Sequence, residues 1–160
     1  SKEVLEYVLY KALMNDFYEF TIPKSSNKLL YKICGSDNLV KNFLNEILNE
    51  CVWDLLPNDL LYELYKAWFL ENISDKSEYL SKYKFLKEVR SLLSSSKEYK
   101  VLENNVFFEA HCKCPEPLIY KYDIKSWMNT DYKGLDVDSI CFPQLKGKKF
   151  RGVLRVKKRT

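Results

Sequence analysis

The last fifteen residues of the chain, 146–160, combine dense positive charge with apolar residues at strand-like spacing. They hold eight of the 26 Lys and Arg residues and no carboxylate, which leaves 18 basic against 22 acidic residues in the first 145. Phe150, Val153, Leu154 and Val156 are interspersed among these charges. A disordered tail needs no such apolar residues, whereas a β-hairpin does. The pattern therefore favours a cationic hairpin that meets a polyanion over a solvated, frayed tail.

Length and composition limit the chain to one globular domain, or to two small pieces that share a junction. The 160 residues are 46% hydrophobic and include only four Gly and five Pro, so we expect a sizeable core and few long loops. The sequence contains no apolar run of about eighteen residues and no signal-peptide pattern, which predicts an intracellular protein without a membrane anchor. Five scattered cysteines favour a reducing compartment over a disulfide framework.

Apolar periodicity predicts that the first two thirds of the chain are helical. The expected helices lie at residues 2–14, about 25–34, 37–48, from 58 or 59 onward, and about 82–94. The third carries a continuous apolar stripe from Leu39 to Leu48. Pro57 precedes the fourth helix and Ser81 is placed to cap the fifth, as helix start signals do.

Two hairpins are expected in the remainder of the chain. Strands at 99–103 and 106–110 flank Asn104-Asn105, a two-residue turn signal. Strands at 140–145 and 150–156 flank a turn at 146–149. Residues 104–140 are interpreted as an insertion. The fold class predicted from these elements is α+β and mainly helical.

Catalytic motifs are absent from this sequence. No phosphate-binding loop, nucleophile elbow, zinc-protease helix or dinucleotide fingerprint occurs, and His111 is the single histidine. We therefore expect a non-catalytic chain without a cofactor or a bound metal. His111, Cys112, Cys114 and Cys141 offer four zinc-type ligands, but the H-C-x-C spacing lacks the two-residue gap that wraps the ion. Zinc binding stays open at this point.

The fifth helix has two unlike faces. Phe85, Val89 and neighbouring leucines form the inward side, and the opposite side carries Tyr83, Lys84, Lys87, Arg90, Ser91 and Ser94. Such a face suits a DNA major groove, with cations on phosphates and Arg90 at a base edge. A plain lysine-rich solvent face is the alternative.

The order of the elements favours DNA binding over that alternative. A helix, a turn, a basic helix, a strand and a basic hairpin follow one another as in a winged helix, where the second helix enters a groove and the hairpin touches the backbone. The expected DNA-binding residues are Lys82, Tyr83, Lys84, Lys87, Arg90, Ser91, Lys146, Lys148, Lys149, Arg151, Arg155 and Lys157.

Several segments resemble the C-terminal region of phage, plasmid and poxvirus-type primase-helicases, which are superfamily-three helicases of mobile elements. Residues 60–72 read L-L-Y-E-L-Y-K-A-W-F-L-E-N and residues 81–86 read S-K-Y-K-F-L. Further similar segments are E-V-L-E-Y-V-L-Y-K-A at 3–12, I-P-K-S at 22–25, D-N-L-V-K-N-F-L-N-E at 37–46 and F-R-G-V-L-R-V at 150–156.

This resemblance implies a helical segment, 1–50, that leads out of a missing AAA+ motor, and a winged-helix domain, 51–160, with an insertion at about 104–140. It implies binding of duplex DNA at a replication origin, in the cytoplasm of a bacterial host, by a protein that is hexameric through the motor. The ATPase motifs are absent, so helicase activity does not carry over to this chain. Two other functions stay open: a protein-interaction module acting through residues 111–140, and a non-specific grip on single-stranded DNA.

Overall fold

The computed structural model describes residues 5–6, 39–73 and 79–157, and its first feature is three helices that share one core. They are α1, helical over residues 39–50, α2 (Asn58–Asn72) and α3 (Lys82–Leu93). Each agrees with a helix expected from apolar periodicity. The helices expected at 2–14 and about 25–34 lie outside the described residues, apart from residues 5 and 6, which are helical.

Local signals determine where α2 and α3 begin. Pro57 directly precedes α2 with φ −56° and ψ 143°, an extended conformation that cannot continue a helix backwards. The Ser81 side chain accepts a hydrogen bond from the Lys84 backbone N–H at 3.5 Å, so it caps α3 as predicted. These signals set the register that decides which side chains of α3 point outward.

An aromatic cluster holds the three helices together. The Phe43 ring of α1 lies 5.5 Å from the rings of Tyr65 and Trp68 and 5.8 Å from that of Phe85, measured between centroids. Tyr65 also stacks on Phe85 at 4.4 Å. All four side chains are buried. Such pairs contribute about 0.5–1.5 kcal/mol each beyond their buried area, so α3 is firmly anchored through Phe85.

In the described part of the chain, five short strands form two antiparallel sheets. Strands β1 (Leu55–Pro57), β2 (Tyr99–Val101) and β5 (Gly152–Arg155) form one sheet in the order β1-β5-β2. Strands β3 (Val106–Phe107) and β4 (Lys149–Phe150) pair with each other. The last strand therefore lies between the first two and is the centre of its sheet. With the helices, this confirms the α+β class.

The expected strand partners are wrong for both hairpins. Residues 99–107 pair with residues 149–155, and the Leu102 N–H donates to the Gly152 carbonyl between the two ladders. Four residues, 102–105, lie opposite two on the other strand, so Asn104-Asn105 belongs to a bulge rather than a hairpin turn. Residues 137–140 form a short helix instead of the start of a strand. We call the paired residues 99–107 and 149–155 the ribbon.

Residues 108–148 form the insert, which runs from one side of the ribbon to the other. It contains helices α4 (Pro117–Lys121) and α5 (Val137–Ile140) and 3-10 turns at Phe108–Ala110 and Lys125–Trp127. Trp127 is buried and lies 5.4 Å from the Phe150 ring. The insert thus packs on the base of the ribbon. The predicted insertion at 104–140 falls largely within it, and the division at residue 50 stays a prediction.

Candidate nucleic-acid interface

The outward side of α3 is a cationic surface whose lysine and arginine side chains make no ion pair or hydrogen bond with other described residues. Tyr83 is 78% exposed, and Lys84, Lys87, Arg90 and Ser91 are exposed as well. At 3.6 residues per turn these five side chains lie within an arc of roughly 120°. Among the described residues, no ion pair or hydrogen bond involves the side chains of Lys84, Lys87 or Arg90. We call these five residues the α3 face.

Lys82, at the start of α3, is already paired. Its ammonium group makes an ion pair with Asp59 in the first turn of α2. Both side chains are about half exposed, so the pair is weak and can open to another anion. The neighbouring Asn58 N–H donates to the Arg151 carbonyl at 2.9 Å. The starts of α2 and α3 and the β4–β5 junction therefore meet at one edge of the molecule.

Further exposed cations lie on the ribbon and in the segments that adjoin it. Lys146, Lys148, Lys149 and Arg151 are exposed around the β3–β4 pair, and Lys157, also exposed, follows β5 at the opposite end. The Lys149 ammonium lies 4.3 Å from the centroid of the Phe107 ring, a cation–π contact across the β3–β4 pair. DNA contact by these residues stays a prediction.

Arg155 has a different role from the one expected. Its side chain is 6% exposed, and its guanidinium donates to the carbonyls of Leu48 and Cys51 at 3.1 Å and to the Tyr99 hydroxyl at 3.3 Å. Asp54 lies 3.5 Å away. Desolvation acts to lower the pKa of this guanidinium, but Tyr99 and the nearby acidic groups raise it on balance. Arg155 binds the C-terminal carbonyls of α1, so it is not available to a ligand.

A buried carboxylate ties the insert to the rest of the fold. Glu116 is fully buried, and its Oε2 atom accepts hydrogen bonds from the N–H groups of Val52 and Trp53 at 2.8 and 2.9 Å. The Cys51 thiol donates to the same oxygen at 3.3 Å. Burial, reinforced by Glu116, raises the pKa of Cys51 well above its usual range. This site is satisfied internally and is a structural junction.

The four candidate zinc ligands do not form a metal site. Within residues 5–6, 39–73 and 79–157, no three His, Cys, Asp or Glu side chains are arranged to hold a metal ion. Burial raises the pKa of the Cys112 thiol, which disfavours the thiolate that zinc requires. None of the helices in the described part of the chain is long and apolar enough to cross a membrane.

Two acidic residues near these surfaces were not anticipated from the sequence. Asp59 pairs with Lys82, and the Glu109 carboxylate accepts a hydrogen bond from the Gly147 N–H at 2.7 Å. These contacts join residues 23 and 38 positions apart. No local motif marks such pairs: the first depends on how α2 packs against α3, and the second on the pairing of β3 with β4.

The geometry defines an α+β domain with a cationic helix face beside a cationic ribbon. A family model described as "Poxvirus D5 protein-like" matches residues 36–133, more than half of the chain. The chain therefore belongs to the poxvirus D5-like family, and it is a replication-related, primase-helicase-type domain. This supports the resemblance seen in residues 37–46, 60–72 and 81–86. Neither the search of curated proteins nor that of solved structures found a match.

Proposed function

We propose that this domain is a winged helix that binds duplex DNA. The proposal is supported by the sheet order β1-β5-β2 within the succession α1, β1, α2, α3, β2, β5. In a winged helix, the third strand likewise returns between the first two, and the helix before the second strand enters the major groove. That helix corresponds to α3, and the ribbon with its insert takes the position of the wing.

The α3 face is the observation that carries the proposal. It combines three cations that have no side-chain partner among residues 39–73 and 79–157 with an exposed aromatic ring and a hydroxyl. Lys84 and Lys87 would neutralise phosphates and release counterions, which supplies affinity. Arg90 and Tyr83, which lie next to each other at one side of the face, would contact base edges, because arginine binds guanine bidentately and apolar groups contact the thymine methyl.

The contacts at the edge of the molecule support a joint use of the α3 face and the ribbon. Lys82 pairs with Asp59, and Asn58 bonds to the backbone of Arg151. Lys82 and Arg151 are thus both anchored at the N-terminus of α2. A duplex lying on α3 would meet Arg151, and beyond it Lys148 and Lys149, along its backbone.

In the whole protein, the domain would dock a replication initiator helicase on the origin of a mobile element. The motor, which this chain lacks, would supply ATP hydrolysis and a hexameric ring in the cytoplasm of a bacterial host. The poxvirus D5-like family supports the link to replication. The role of this chain would be non-catalytic: it holds duplex DNA where the helicase must be loaded.

The test is a fluorescence-anisotropy titration with a labelled duplex. If about six phosphates are neutralised, affinity should fall roughly a thousandfold between 50 and 200 mM salt. Reversing three charges, Lys84→Glu, Lys87→Glu and Arg90→Glu, should reduce affinity at least about a hundredfold. The matched control reverses Lys113, Lys125 and Lys133 of the insert, which are exposed as well, and should change affinity by less than about threefold. A flat salt response, or equal effects of the two triple variants, would refute the proposal.

Further measurements distinguish two other functions from duplex binding. Competition between duplex and single-stranded probes decides whether the surface is a single-strand grip. A protein-interaction role is favoured by Leu135, which is 94% exposed on a loop that also carries Asp131, Asp136 and Asp138. The loop is ordered by its own bonds, because Asp136 accepts from the Ser139 N–H and hydroxyl at 2.9 and 2.6 Å. Leu135→Asp should abolish binding of such a partner and leave DNA binding unchanged.

A further inference from the structure

The lysine turn, residues 145–149, has a backbone that is defined by its own hydrogen bond. The Lys148 N–H donates to the Leu145 carbonyl at 3.1 Å, and Gly147 has φ +77°. Positive φ at the third residue is typical of a type II turn, which glycine adopts without strain. Lys146, Lys148 and Lys149 are exposed around this glycine. Three ammonium groups therefore extend from one short, shaped backbone segment.

Three consecutive residues, at the end of β3 and the start of the 3-10 turn that follows it, hold the lysine turn in place. The Phe107 ring lies under the Lys149 ammonium, and the Phe108 N–H donates to the Lys148 carbonyl at 2.9 Å. Glu109 completes the set, because its Oε2 atom accepts the Gly147 N–H at 2.7 Å. The first two contacts involve the ends of β3 and β4. The Glu109 contact is the one that reaches the tip of the turn.

The presence of an acid here needs a reason beyond charge. A carboxylate among three lysines weakens the local positive potential and would oppose a phosphate. Among the described residues, Glu109 makes no ion pair with any of these lysines. The hydrogen bond that the Glu109 carboxylate accepts comes from a backbone amide, that of Gly147. The carboxylate therefore orders the turn while the ammonium groups remain available to a ligand.

We infer that Glu109 is a positioning residue for DNA: it holds the lysine turn in the shape that contacts the phosphate backbone. The inference rests on the proposed DNA-binding function. A turn that is already ordered loses less conformational entropy on binding than a free loop with three lysines. The gain from this order outweighs the repulsion between one carboxylate and the phosphates.

Two substitutions at this position separate shape from charge. Glu109→Gln removes the charge and keeps an oxygen that can accept the Gly147 N–H. Glu109→Ala removes both. In duplex titrations, Glu109→Gln should bind at least as tightly as the wild type, and Glu109→Ala about threefold to tenfold more weakly than Glu109→Gln, the range expected for one lost hydrogen bond.

Glu103 is the matched control, because it is an exposed acid of the ribbon and its side chain makes no hydrogen bond within the described part of the chain. Glu103→Ala and Glu103→Gln should bind DNA equally. Amide hydrogen exchange at Gly147 provides a readout that does not depend on DNA: exchange should be faster in Glu109→Ala than in Glu109→Gln and the wild type.

The outcomes distinguish this inference from the proposed function. Equal affinities of Glu109→Ala and Glu109→Gln, in proteins that still bind duplex with a steep salt response, overturn the inference alone. Unchanged Gly147 exchange in Glu109→Ala does the same. A wild-type chain without salt-dependent duplex binding overturns both.

Discussion

Helix α3 and strand β5 both carry cations between apolar residues, but the two elements occupy opposite environments. α3 buries Phe85 and Val89 and leaves Lys84, Lys87 and Arg90 on the surface, where their side chains have no partner among the described residues. β5 is the central strand of a three-stranded sheet, and its Arg155 is enclosed among carbonyls. In the preceding connection between β4 and β5, Arg151 is exposed.

The difference shows that charge density along a chain does not decide which cations meet a ligand. On a helix, the outward arc is set by the periodicity of the helix itself, so exposure can be read locally. In a strand, exposure depends on what covers each face and each edge. Arg151 and Arg155 are four residues apart, and the packing of α1 and β2 on β5 gives them different roles.

The largest expected effect comes from Gly152→Ala, which tests whether β5 is a central strand. A Cβ atom at this position would overlap the Leu56 carbonyl of β1, which is backbone and cannot move aside cheaply. We expect a loss of at least about 3 kcal/mol in the free energy of unfolding, measured by urea denaturation.

Gly147→Ala is the matched control for that substitution. A Cβ atom there meets nothing within 4 Å, and only the positive φ is unfavourable. The expected loss is about 1 kcal/mol. Equal losses for the two variants would mean that β1 does not approach β5 closely, and the sheet order would be wrong.

Arg155→Ala comes next in size and tests the enclosed side of the comparison. It removes the donors to Leu48, Cys51 and Tyr99. Because these acceptors lie in a partly buried site, unfolding free energy should fall by about 3 kcal/mol. Arg151→Ala, measured alongside it, should change stability by less than about 0.5 kcal/mol and weaken duplex binding instead. The contrast between the enclosed and the exposed arginine would be contradicted if Arg155→Ala weakened duplex binding without lowering stability while Arg151→Ala lowered stability.

Helices α1, α2 and α3, and the exposure of the outward residues of α3, are the parts that sequence patterns predicted well. Leu39 to Leu48 repeat with helical spacing, and Pro57 and Ser81 mark helix starts by chemistry that acts within four residues. The exposure of Lys84, Lys87 and Arg90 follows from the same periodicity. Local rules suffice wherever the cause of a structure is local.

The strand partners and the internal role of Arg155 could not be predicted in this way. β-pairing joins residues about 50 positions apart, such as Val101 and Val153. Asn104-Asn105 carries the signal of a tight hairpin turn. The chain forms a bulge there instead, because β3 pairs with β4 and does not fold back on β2. The contacts of Glu109 and Arg155 depend on that pairing, so they were hidden for the same reason.

Arg90→Ala tests the exposed side of the comparison with an effect of middle size. Duplex affinity should fall by about 1–2 kcal/mol, with relaxed preference at one base pair, because a base-edge contact is lost. Unfolding free energy should stay within about 0.5 kcal/mol of the wild type, since Arg90 has no partner among the described residues. Lys125→Ala of the insert is the control and should alter neither quantity. A stability loss without an affinity change would show that the α3 face has a structural role.

The smallest expected effect concerns Lys82, the cation of α3 that is already paired. Asp59→Asn removes its partner and one negative charge, so duplex affinity should rise about twofold to threefold while stability changes by less than about 1 kcal/mol. Glu63→Gln breaks the Lys66 pair on the same helix and serves as the control, with no expected change in affinity. The decisive measurement is the double-mutant cycle: Lys82→Ala should reduce affinity more in the Asp59→Asn background than in the wild type. If Lys82→Ala leaves affinity unchanged in both backgrounds, Lys82 does not contact DNA, and the cationic surface begins at Tyr83; an equal loss in both would show that Asp59 does not restrain Lys82.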